Sequence, residues 1–404
     1  MTTRPTPPAG SAVLGSATTP ARRHRRTTVL LPMAGLVVLA GCGLTLIALS
    51  TARVGLVAEL VGIAAALVPV AGVVAALMWI DRWEPEPSRL LWFAFGWGAS
   101  VAAITALLIN DTAAAVGDAL LGHGSGDKIS AVVSAPLFEE AIKGAFVLGI
   151  MIWLRGEFDG IIDGVVYAGF VAIGFAFTEN IYYFGRAFAD HGFGDTGTAG
   201  VVTAFILRGV MSPFIHPLFT GMIGIGIGVA ARAPNRTTRI LAPLAGYVAA
   251  VVLHAMWNAA ATLGGPQTFL NVYFLVILPI AIAGVLFVNW HRRREQGILA
   301  RALPDMVQRG WVEPGHARRL VSLTARREWR AKIARRAGRD AARIIAGYQA
   351  AVTELAFLWH ARRMGVAGSD TDLRESELVA VLAATRPAVH DIAHDRAANR
   401  GVRR

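Results

Sequence analysis

Eight apolar stretches run through this chain, at residues 28–50, 54–80, 90–110, 129–154, 160–184, 205–231, 240–263 and 268–290. Each is near the ~20 residues that a bilayer crossing requires. Lipid offers no hydrogen bonds to a backbone, so a crossing segment must be a helix or part of a closed barrel. These stretches are continuous rather than alternating, which argues against a barrel. The expected fold is therefore all-α, a polytopic membrane helix bundle of about eight spans. A hydrophobic share of 54% over 404 residues agrees with that class. Three parts follow: a disordered basic N-terminal arm over 1–27, an eight-span membrane core over 28–290, and a basic helical tail over 291–404. Within the tail, 295–365 has helical spacing, while the last stretch, with Gly365, Gly368 and Pro387, reads as looser.

The net charge of +12 is unevenly placed. Arg22, Arg23, Arg25 and Arg26 precede the first stretch. Arg82 and Arg89 follow the second, Arg155 the fourth, Arg232, Arg236 and Arg239 the sixth, and Arg292, Arg293 and Arg294 the eighth. All of these ends share one side, which the positive-inside rule makes cytoplasmic. The other side carries little beyond Arg53, Lys128 and Arg186. The expectation is a multi-pass cell-membrane protein with both termini cytoplasmic. The tail's arginines read as a juxtamembrane anchor and a solvated helical surface, with no nucleic-acid partner expected. Cys42 is the single cysteine, so neither an internal disulfide nor a cysteine metal cluster can form. Leu39-Ala40-Gly41-Cys42 is similar to a lipobox, yet the apolar run continues through Leu49, which argues against cleavage there.

Four of the apolar stretches carry polar groups. The fourth holds Glu139-Glu140 and Lys143, the fifth Glu179-Asn180, the sixth His216 between two prolines, and the seventh His254 with Asn258. A charge at mid-membrane costs roughly 2.5–3.5 kcal/mol on insertion scales, so each is a functional candidate. Lys143 is spaced i+4 from Glu139 and i+3 from Glu140, which brings all three together on one helix face. One ammonium neutralises one carboxylate and leaves the other free to act as a base. Pro213 and Pro217 must loosen the sixth helix near His216. Arg208 reads as a snorkelling residue at the outer boundary. Asp159 and Asp163 read as caps of the fifth helix or as partners of interfacial arginines, and the run Gly221, Gly224, Gly226 and Gly228 as close helix packing. At ~1.5 Å per residue, Glu140 lies roughly 15 Å from the outer boundary, Glu179 about 8 Å, His254 about 13 Å and His216 about 12 Å. All four therefore converge in the outer half of the bilayer. Gathered carboxylates, imidazoles and amides are the groups that peptide hydrolysis in lipid needs.

With these residues the chain resembles the PrsW family of bacterial intramembrane proteases, within the broader CAAX-prenyl-endopeptidase-like and bacteriocin-processing superfamily. The resemblance covers about residues 70–290. It is carried by Asp81-Arg82-Trp83-Glu84-Pro85-Glu86-Pro87, by Glu139-Glu140 with Lys143, by Asp159-Gly160-Ile161-Ile162-Asp163-Gly164, and by Phe175, Glu179-Asn180, His216, His254 and Asn258. It implies that Glu140 or Glu139 activates water, that His254 and Asn258 hold the oxyanion, and that His216 and Glu179 position water or the leaving amine. The wider superfamily tends to place histidine where this chain has Glu179.

The expected function is an intramembrane endopeptidase that cuts a membrane-anchored protein near the extracytoplasmic side. By analogy, the substrate is an anti-sigma factor or similar regulator. Other readings are a catalytically silent scaffold of the same fold and a proton-coupled transporter. No His-Glu-x-x-His spacing lies on one helix, which favours a metal-free glutamic mechanism with no cofactor. The alternative is a zinc metalloprotease with one zinc ion, its ligands drawn from His216, His254, Glu140 and Glu179.

Overall fold

The computed structural model describes residues 21–82, 85–154, 158, 160–194, 200–365 and 371–394, with side chains from Met33 to Asp391. The arm over 1–20, Trp83, Glu84, Arg155 and Asp159 lie outside the described residues. Among those described, all regular structure is helical.

Seven helices are long and apolar enough to cross a membrane. They begin with α1 (Ala21–Val54), which includes the last residues expected to be disordered, and α2 (Leu56–Ile80). Next comes α3 (Ser88–Leu121). The eighth expected crossing is α4, residues 126–153, built from Gly126–Ile129, a π-helical turn at Ser130–Ser134, and Ala135–Trp153. At 1.5 Å per residue it is roughly 40 Å long, enough to cross. Glu139, Glu140 and Lys143 put three charged side chains into its apolar stretch, so composition alone does not count it. Then follow α5 (Ile161–His191), α6 (Val201–Ala231), α7 (Arg236–Thr262) and α8 (Pro266–Gln308).

α5 is the hub, with 78% of its apolar window buried against 6% for α1. Glycine lets its neighbours approach. A methyl on Gly164 would strike the Gly224 carbonyl oxygen of α6, and one on Gly174 the Phe95 carbonyl oxygen of α3. Small residues replace the hydrophobic effect as the packing device inside lipid. Gly224, Gly226 and Gly228 each meet another helix's backbone this way, as their spacing suggests, whereas Gly221 has nothing within 4 Å of its added Cβ.

The α2–α3 turn is tied by Asp81, which accepts the Glu86 N–H at 3.2 and 3.1 Å. Tyr167 of α5 donates to Glu86 Oε2 at 2.6 Å, which fixes the turn to the hub. Asp163 accepts the Gly160 N–H at 2.8 Å and so caps α5, as its position suggests. α6 breaks over residues 212–214. Pro213 cannot donate there, and Pro217 sits in the first turn of the restarted helix, where no donor is needed. Tyr273 of α8 donates at 2.7 Å to the Met211 carbonyl just before the break.

α8 runs on past the membrane core into the tail, followed by α9 (Pro314–Leu320), α10 (Leu323–Arg363) and α11 (Thr371–His394). Leu299, Leu303, Met306, Leu320, Trp329 and Val352 form a core separate from the membrane helices. In the last stretch, the described residues Thr371–His394 are helical rather than loose. Leu378, Leu382 and Val389 of α11 belong to that core, and their i, i+4, i+11 spacing is a buried helical stripe interrupted in sequence only by Pro387. α10 kinks at Gly338, whose φ of 87° favours glycine.

Candidate active site

The polar groups of four helices meet at one place. On α4, Glu139, Glu140 and Lys143 are all buried. Lys143 Nζ lies 2.9 Å from Glu140 Oε1 and 3.3 Å from Glu139 Oε2. It lies 3.5 Å from His216 Nδ1 of α6 and stands 3.7 Å above the Phe175 ring of α5. The opposite edge of His216, Nε2, is 2.8 Å from Glu179 Oε2 of α5. From α7, His254 Nδ1 is 3.1 Å from Glu140 Oε1. The His216 and His254 rings are 5.7 Å apart, and Phe219 stacks on His254 at 5.2 Å.

The contacts assign the protons. Lys143 can only donate, so His216 accepts at Nδ1 and donates from Nε2 to Glu179. His254 donates from Nδ1 to the Glu140 carboxylate, and as the neutral ring it carries a lone pair at Nε2. In that form His254 accepts rather than donates at Nε2, and it could serve an oxyanion only as the imidazolium.

Two participants, Thr220 and Asn110, were not singled out from sequence, and a third, Arg208, was read as lying outside the site. Thr220 donates to Glu140 Oε2 at 2.8 Å, one turn along α6 from His216. That i+4 spacing was the available signal. Asn110 of α3 donates to Glu139 Oε1 at 3.1 Å and accepts from Ser134 at 3.1 Å. Arg208 does not snorkel. It bonds Glu179 Oε2 at 2.5 Å and Asn180 Oδ1 at 2.8 Å, and its guanidinium lies 4.1 Å from the Tyr183 ring centre. The half-buried carboxylate competes for the cation more strongly than the membrane surface does, because their attraction is less screened there than in water.

Of the residues expected from sequence, Glu139, Glu140, Lys143, Glu179, His216 and His254 form one connected cluster. Asn258 stands apart from it in its bonding: its amide donates at 2.8 Å to the Ala131 carbonyl, in the π-helical turn of α4.

A cavity of about 440 Å³ reaches this cluster between α1, α3 and α5. Its walls are mostly apolar, and Glu139, Glu179, Asn110 and Tyr183 bring polar groups to it. Glu140 does not line it. It is 0% exposed, behind Glu139. One ligand atom each from Glu139, His216 and His254 lie within 4.8 Å of one another, a spacing that could hold a metal ion. Two imidazoles and one carboxylate are a donor set that catalytic zinc accepts, with a fourth position open. Glu139 thus takes the place expected of Glu140 or Glu179.

Residues 86–284 match the family model described as PrsW family intramembrane metalloprotease, a stretch that contains every residue of the cluster. That segment is similar to the PrsW family. Protease PrsW of Oceanobacillus iheyensis is 31% identical over 150 residues, 37% of this chain and 62% of the relative. Protease PrsW of Geobacillus kaustophilus is 30% identical over 128 residues, 32% of this chain and 50% of the relative. The chain thus spans less than two thirds of the length of either relative. No solved structure matches. The tail helices α9 to α11 lie outside the PrsW segment.

Proposed function

We propose that this chain is an intramembrane endopeptidase that cuts a membrane-anchored protein on the extracytoplasmic side. The PrsW segment and its two relatives named as proteases support the class. The observation that carries the reading is the position of Glu139, a buried carboxylate held by Asn110 and Lys143 at the wall of an apolar cavity. An extended peptide laid along that wall would present its carbonyl to a water beside Glu139.

On this reading Glu139 takes a proton from water, and the hydroxide adds to the peptide carbonyl. Glu140, fully enclosed, is a positioning residue that holds Lys143, His254 and Thr220 together. Lys143 keeps positive charge next to both carboxylates and so stabilises the negative charge that develops nearby. As the tetrahedral intermediate collapses and the C–N bond breaks, Glu139 gives that proton to the leaving amine, which Glu179 and His216 position. Asn258 reaches the oxyanion only if it gives up the Ala131 carbonyl. The distribution of arginines supports cytoplasmic termini, and the cluster sits toward the opposite ends of α5 and α7 and at the middle of α4. That arrangement supports an extracytoplasmic cut. A single-pass regulator such as an anti-sigma factor fits it by analogy.

A second reading is favoured by the Glu139, His216 and His254 grouping and by the family description. These three residues would hold a zinc ion, which would activate water and polarise the carbonyl. The metal-free reading is preferred because the Lys143 ammonium already contacts two of those donors, and like charges a few ångströms apart repel. Metal analysis of the purified protein, with and without chelator, separates the two.

The test is cleavage of single-pass reporters in liposomes, with product masses fixing the cut. Wild type should cut on the outer side of the reporter span and Glu139→Gln should not. Equal cleavage by both would sink the assignment of Glu139. A folded wild type that cuts nothing in a broad panel would shift weight to a silent scaffold.

A further inference from the structure

A second cavity, of about 250 Å³, opens where α8 leaves the membrane core for the tail. Its walls come from α5, α6, α8 and α10, and its polar lining is Arg232, His291, Arg294, Glu295 and His360. Two guanidiniums and two imidazoles face one carboxylate. None of these residues touches the carboxylate cluster.

Several details indicate that the pocket is built for an anion. The Arg232 guanidinium lies flat over Gly160, 3.3 Å from where a Cβ would stand, so a larger residue would push it aside. The His291 ring packs beside Phe287 and Trp290, each at 5.8 Å, and its Nδ1 is buried with no hydrogen-bond partner among the described residues. A buried ring nitrogen without a partner is costly unless something fills the place. Arg294 makes no ion pair among the described residues and leans over Trp290 at 6.0 Å. Burial, with Arg232, Arg294, Arg301 and Arg363 nearby, lowers the pKa of His360, which leaves it a neutral N–H donor among cations. Trp290 is the kind of aromatic that marks a bilayer interface. Basic pockets between transmembrane helices at that level suit lipid headgroups.

We propose that this cavity is an anion site that takes a phosphate group, held by Arg232, Arg294, His291 and His360. Guanidiniums pair with phosphate oxygens through two parallel hydrogen bonds, and His291 gains the partner it lacks. The phosphate is either the headgroup of an anionic lipid or a free ion. With α8 on one wall and α10 on another, occupancy ties the tail to the membrane core. The inference does not depend on the proteolytic reading, since no cleavage is measured.

The full chain in detergent is melted in inorganic phosphate and in chloride at equal ionic strength. It is also placed in nanodiscs of phosphatidylcholine with or without phosphatidylglycerol, and retained lipid is counted by native mass spectrometry. Wild type should melt higher in phosphate or retain phosphatidylglycerol selectively. The double variant Arg294→Gln, His360→Gln should bind at least tenfold more weakly, with its melting in chloride unchanged. If that variant melts early in chloride, Arg294→Glu, altered at an exposed side chain, carries the comparison. Retention of lipid without a response to inorganic phosphate assigns the site to a headgroup, and the converse assigns it to a free ion. No response to either, or equal binding by wild type and variant, overturns the proposal.

Discussion

Lys143 reaches Glu140 at 2.9 Å across one turn of α4, and neither side chain exposes any surface. Removing one partner of a buried pair leaves an uncompensated charge and costs about 3–5 kcal/mol. Lys143→Met should therefore lower the melting temperature sharply. Adding Glu140→Gln to it should restore part of the loss, because the stranded charge is gone. A double variant no more stable than the single one would show that the pair is not the source.

Arg208 and His216 share Glu179. Arg208→Gln removes a charged partner worth about 1.5–3 kcal/mol, so reporter cleavage should fall about 10- to 150-fold. Arg208→Lys keeps the charge but not the second bond to Asn180, and should recover only part of the rate. Full activity in Arg208→Gln would leave Arg208 with no part in holding Glu179.

Burial pushes the Asp81 carboxyl up to about 7 from 3.8, against the opposing Glu86 N–H. The folded protein then keeps a proton that the unfolded chain releases near pH 4. Between about pH 4 and 7 the folded state binds more protons, so stability falls as pH rises through that window. Asp81→Asn should flatten that part of a melting-against-pH curve and stabilise the protein above pH 7. An unchanged slope would mean that other groups dominate.

Gly164 and Gly224 face each other at the α5–α6 crossing. Gly164→Ala should destabilise by about 1–3 kcal/mol through overpacking. Gly221→Ala, with open space at its Cβ, should be neutral or slightly stabilising. Melting of the two variants side by side separates helix propensity from contact.

The membrane crossings were readable in sequence because lipid permits only one response to a long apolar run, and the charged α4 was readable from its length. The cluster was readable because charge in lipid is expensive and so marks itself. Arg208 was misread because hydropathy records depth but not partners, and only folding brings it to Glu179 across 28 intervening residues. The order of Glu139 before Glu140 in facing the cavity was also hidden. Adjacent residues on a helix point about 100° apart, and nothing local says which direction holds the opening. The tail's last helix was obscured by Pro387 and nearby glycines, whose local preference α11 overrides by burying Leu382.

One helix, α8, passes from Pro266 to Gln308, a rod of roughly 65 Å at 1.5 Å per residue. Near one end Tyr273 holds the Met211 carbonyl, five residues from His216. At the other end Leu303 and Met306 are sealed into the tail core. A load applied to the tail is therefore a torque on the helix that carries His216, delivered along a shaft rather than through the bilayer.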